Sequence, residues 1–135
     1  MQAPLSNAIS VLVAAQTSEN WNEFFATLLG SRLGVIATGL PPGATGAIQA
    51  KRNQISLGRT TRNGVVLLLA CADFGLFRAR FPEQGFNAEM DAHSLFRTAL
   101  YDPGCEGILV NSAVSAHSVP VARAKIVELV SRASS

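Results

Sequence analysis

Asn63-Gly64-Val65-Val66-Leu67-Leu68-Leu69-Ala70-Cys71 is the stretch from which the fold is read. Asn-Gly is a strong hairpin signal, because a type I′ turn holds both central residues at positive φ, where Gly carries no steric penalty and Asn a small one. The unbroken apolar run that follows predicts a strand covered on both faces, and therefore central in its sheet. Upstream, residues 54–60 alternate, with Ile55 and Leu57 facing in and Ser56 and Gly58 facing out, so the turn is expected to join two strands. Downstream, Asp73 is placed to cap a helix over residues 73–81, which Pro82 ends. Residues 83–88 read as a loop. Residues 89–101 read as a further helix, with Leu95, Phe96 and Leu100 on one face and Asp102-Pro103-Gly104 as its stop.

Towards the C-terminus, Gly107-Ile108-Leu109-Val110-Asn111 is a strand, and a short extended piece over residues 117–119 is expected to pair with it. Pro120 suits the first turn of a last helix reaching Arg132. Towards the N-terminus, Leu5, Ile9, Leu12 and Val13 mark a helix over residues 5–16. Trp21, Phe24, Phe25, Leu28 and Leu29 mark a second over residues 21–29. Residues 33–38 are a short β-branched strand, and residues 39–50 a connection rich in Pro, Gly and Ala. The expected fold is α+β: a mixed or antiparallel sheet of about five strands with helices packed against it, two of them N-terminal and one C-terminal. Residues 1–135 fit one domain.

Hydrophobic residues are 48% of the chain and charged residues 15%, the reverse of a disordered composition. So little charge predicts either a generous core or an apolar surface that meets a partner. The net charge of +2 is too small to imply nucleic acid. Cys71 ends an apolar run and Cys105 sits beside a turn, which suggests free thiols in a reducing compartment rather than a disulfide scaffold. The apolar run over residues 9–15 has no preceding Lys or Arg and is too short to span a bilayer, so a cytoplasmic protein is expected.

Two stretches carry a resemblance. Asn63 to Ala70 runs into Asp73-Phe74-Gly75-Leu76-Phe77, and Glu106-Gly107-Ile108-Leu109-Val110-Asn111-Ser112 precedes the last helix. With the helix-rich start, they resemble the N-terminal domain of the SseB family of bacterial proteins over nearly the whole chain. Cys71-Ala72-Asp73 and Asn111-Ser112 stand where members of that family often carry Phe-Thr-Ser-like and Asn-Pro sequences. The resemblance implies an α+β fold and a non-enzymatic role.

No motif supplies a catalytic set. The loop Gly39-Leu40-Pro41-Pro42-Gly43-Ala44-Thr45-Gly46 lacks the Gly-Lys-Ser/Thr of a phosphate loop, and its prolines remove backbone donors. His93 and His117 have no His or Cys at ligand spacing, and His93 reads as a surface partner of Glu89. No metal or other cofactor is expected. Glu83, Glu89 and Asp91 read as a solvated face. Asp73 and Asn111 follow the two most apolar strands, where open sheets bind ligands, although caps use the same residue types. The basic segment is the leading candidate site. No acidic residue lies between Glu23 and Asp73, and Lys51, Arg52, Arg59 and Arg62 gather around the hairpin. Charges there also protect a sheet edge from aggregation. No aromatic residue lies between Phe25 and Phe74, which counts against stacked nucleic-acid bases. The expectation is a non-enzymatic interaction or accessory module whose partner is another protein or a second copy of the chain. The rivals are anion or nucleic-acid binding through Lys51, Arg52, Arg59 and Arg62, and a small enzyme whose site the sequence does not reveal.

Overall fold

The computed structural model describes residues 3–38, 46–47 and 56–133. In chain order the elements are α1 (Pro4–Ala14), α2 (Ser18–Leu29), β1 (Arg32–Val35), β2 (Ala37–Thr38), β3 (Gly46–Ala47), β4 (Ser56–Leu57), β5 (Arg59–Arg62), β6 (Val65–Cys71), α3 (Phe74–Arg80), β7 (Ala88–Asp91), α4 (Ala92–Tyr101), β8 (Gly107–Asn111), β9 (Ser118–Ala122) and α5 (Arg123–Ala133). A mixed sheet with helices packed on it makes the fold α+β.

The hairpin forms as its sequence dictates. Asn63 and Gly64 take φ of 52° and 80°, and β5 returns antiparallel to β6 with Arg62 opposite Val65. The sheet order is β3-β7-β1-β6-β8-β9, with β5 also on β6. β6 and β8 run parallel, as do β3 and β7, and the remaining pairs are antiparallel. A separate ladder joins β2 to β4.

One sheet face carries Leu68, Ala70, Ile108 and Val110 into the main core, where they meet Leu5 and Ile9 of α1, Phe24 and Leu28 of α2, Phe96 of α4 and Ile126 of α5. Each of these large side chains contributes about 1.5–3 kcal/mol by leaving water. The opposite face is covered at the C-terminal end of β6, where Cys71 packs with Phe77, Phe86 and Ala113. Gly34 on β1 makes this close approach feasible, since a Cβ there would collide with Cys71 Sγ and the Phe74 ring. The N-terminal end of β6 is less enclosed, with Val65 39% exposed.

Several local expectations need correction. Residues 89–91 are not the start of a helix. Ala88–Asp91 is strand β7, paired with all of β1, and its burial alternates as a strand's does. Asp91 then caps α4, accepting from the Ser94 N–H and hydroxyl. Pro120 lies inside the edge strand β9, opposite Leu109, and α5 begins after it. Proline is tolerated there because an edge strand leaves one row of N–H groups unused by the sheet. Within the expected connection over residues 39–50, Gly46–Ala47 forms β3; the rest lies outside the described residues. Asp73 does not cap its own helix. It takes φ 50° and its carboxylate accepts from the Ser6 N–H in the first turn of α1, fixing the N-terminal helix to the end of β6. Ser6 is itself buried, and its hydroxyl accepts from Ala113 N–H. Among the described residues, no helix is long and apolar enough to cross a membrane.

Candidate functional site

The two described arginines of the basic hairpin do not converge. Arg59 and Arg62 are three apart on β5, and a strand sends such positions to opposite faces. Arg59 pairs with the Asp102 carboxylate just beyond α4. That guanidinium, with the Gly104 N–H, holds Asp102 below the usual carboxylate range. Arg62 is exposed beside the turn. Lys51 and Arg52 lie outside the described residues.

The other polar candidates have structural partners. Glu89, on β7, pairs at 3.0 Å with Arg32, not with His93. Asp91 is lowered below its usual range, first by the Ser94 hydroxyl. Burial pushes the Cys71 thiol up to about 12, so it is a thiol and a poor nucleophile at neutral pH. Cys105 is fully buried, its Sγ donating to Gly107 O. Asn111 ties β8 to β6 by donating to Ala70 O. It also borders a pocket of about 200 Å³ with Phe77, Phe81, Gln84 and His117, at the C-terminal ends of the parallel strands. Among the described residues, no three His, Cys, Asp or Glu side chains gather as a metal site would require.

A larger feature lies at the far edge of the sheet. Ser18, Trp21, Asn22 and Phe25 form one wall of an open groove of about 400 Å³, and β9 with Lys125 forms the other. Thr17 starts α2 by accepting from Asn20 N–H, which sets the helix phase. In that phase Phe24 and Phe25 are both buried in the main core, and the half-buried Trp21, one turn before Phe25, borders the groove with the edge of the Phe25 ring. Their rings stack at 5.5 Å with an interplanar angle of 25°. Lys125 Nζ lies 4.8 Å from the centre of the Phe25 ring, a cation–π contact. Its ion pair with Glu128, at 3.0 Å, is solvent-exposed and weak enough to be exchanged. Among the described residues no carboxylate lines the groove, and the one charged lining residue, Lys125, is positive.

β9 presents its edge to this groove. Ser112 N–H donates to His117 O, and Arg123 N–H to Glu106 O, which sets the hydrogen-bonded pairs of the β8–β9 ladder. Leu109 and Pro120 are then a non-bonded pair, and the Pro120 nitrogen faces away from β8. The core stripe read for Trp21 and Phe25 holds, since Phe25 is buried in the main core and Trp21 packs against it, whereas Pro120 was read into a helix. Nothing local to α2 reveals that β9 and α5 lie across from it.

No family model matches the chain, and no curated protein and no solved structure matches it either.

Proposed function

We propose that the protein is a non-enzymatic interaction module, and that it holds a partner protein in the groove between α2 and β9. The observation that supports this reading is the half-buried Trp21, stacked on the buried Phe25 beneath Lys125, at the wall of an open groove. Aromatic side chains with a polar rim are the residue types that carry binding energy at interfaces. The low charge of the chain fits the same reading. An accessory role of this kind is also what the SseB-like stretches imply, and a cytoplasmic setting accords with two free, buried thiols.

The test is retention of partners from native lysate by three baits: wild type, Trp21→Ala and Arg62→Glu. The reading expects a stoichiometric partner on wild type and on Arg62→Glu that is lost from a folded Trp21→Ala. Loss on Arg62→Glu with retention on Trp21→Ala would move the contact to the hairpin and favour anion binding there.

A further inference from the structure

We infer that Asn63, at the tip of the β5–β6 hairpin, is a site of spontaneous deamidation that turns its amide into an aspartyl or isoaspartyl group. The inference is independent of the groove between α2 and β9. Asn63 alone among the asparagines of the chain is followed by glycine. Glycine matters because the reaction brings the next residue's backbone nitrogen onto the side-chain amide carbon, and a following Cβ would obstruct that approach.

The structure leaves both reacting groups free. Asn63 and Gly64 are exposed. Beyond its chain neighbours, no atom lies within 4 Å of the position a Cβ on Gly64 would take. Neither the Gly64 N–H nor the Asn63 amide has a hydrogen-bond partner among the described residues. The other described asparagines are held. Asn20 Nδ2 donates to Ala15 O at 2.7 Å, and Asn111 Nδ2 to Ala70 O at 3.1 Å. Asn87 is fixed through both amide atoms by the Ala37 backbone. Asn7 and Asn22 lie within α1 and α2, where the helix ladder engages the following backbone nitrogen. Ring closure requires the turn to open, and it sits at the end of a four-residue strand exposed at all but Thr60, where fraying is easiest.

In the reaction, the Gly64 nitrogen gives its proton to solvent base and attacks Asn63 Cγ. A C–N bond forms, the Cγ–Nδ2 bond breaks, and ammonia leaves, which closes a five-membered imide. Water then opens the ring. Attack at Cγ gives aspartate, and attack at the Asn63 backbone carbonyl carbon gives isoaspartate, with the chain rerouted through the former side chain. Either product lowers the net charge of +2 by one and sets a carboxylate beside Arg62. Aspartate tolerates the φ of 52° as asparagine does. Isoaspartate lengthens a two-residue turn by one backbone carbon, which disturbs the register that sets Arg62 opposite Val65.

The test is incubation of the purified protein at mildly alkaline pH, beside Asn63→Gly, whose Gly-Gly turn suits the same hairpin and carries no amide. Peptide mapping by mass spectrometry follows each asparagine, and enzymatic methylation of isoaspartyl carboxylates distinguishes the two products. Expected is the mass gain of amide-to-acid conversion on the peptide carrying Asn63 while Asn7, Asn20, Asn22, Asn87 and Asn111 keep their amides. Isoaspartyl label should appear at the turn in wild type and not in Asn63→Gly. Incubated wild type should also unfold at lower urea than fresh protein, with Asn63→Gly holding its midpoint. An Asn63 amide that outlasts another described asparagine, or that converts only once urea has unfolded the chain, would overturn the inference.

Discussion

Arg123 shows how much one side chain can organise. It is the first residue of α5, and its guanidinium reaches the frayed end of α4. Nη1 donates to Ala99 O, Asp102 O and Cys105 O, and Nη2 donates to Leu100 O. Ala99 O and Asp102 O also accept backbone N–H groups, from Asp102 and Cys105, and the guanidinium adds a charged donor where the helix dipole is negative. Arg123→Met should cost about 2–4 kcal/mol, because several partly buried acceptors lose a charged donor together. Urea unfolding followed by circular dichroism checks this. Arg123→Lys should recover little of the loss, since an ammonium cannot reproduce the planar fork. The sequence placed this residue inside a helix begun by Pro120 and offered no sign of its role, because its acceptors lie 18 to 24 residues away. Asp73 is a similar case: it reads correctly as a cap, but the helix it caps is 67 residues distant.

At the level of elements, β9 combines two properties: it ends the sheet, and it carries a proline that blunts that end. Restoring the missing donor with Pro120→Val should make the edge competent for strand pairing. The expected outcome is concentration-dependent dimers or larger species in light scattering where wild type shows none at the same concentration. An unchanged mass would mean that some other feature protects this edge. Elements whose signal is local were legible. The Asn63-Gly64 turn, β6 and the strand Gly107–Asn111 all follow from residues adjacent in the chain. β7 was not legible, because Glu89-Met90-Asp91 runs into α4 with no Gly or Pro between them and the one boundary signal, Asp91 as a cap for Ser94, was read as part of the helix; β1 is what makes β7 a strand. Pro120 was misread because proline at a helix start is the commoner use. The groove was least legible, since Trp21 and Phe25 satisfy the helical stripe whether or not their outer faces meet anything.

For the whole molecule, acid should loosen the structure through two carboxylates. Asp91 and Asp102 both titrate below their usual range when folded, Asp91 chiefly through the Ser94 hydroxyl and Asp102 chiefly through Arg59. A lowered folded pKa stabilises above the unfolded value, near 3.9, and is lost as the pH falls through the lower folded value. The urea midpoint should therefore hold near neutral pH and decline below about pH 4, more shallowly in an Asp91→Asn, Asp102→Asn double variant. The fold as a whole leaves one sheet edge beside an aromatic wall, and the account of function depends on that juxtaposition. The most direct test places a photo-crosslinking amino acid at Asn22, within the groove, and in a second protein at Val65, beside the hairpin. Irradiation in the native lysate should give a discrete adduct with another protein from Asn22 and none from Val65. An adduct from Val65 with none from Asn22 would contradict the account and move the working surface to the hairpin.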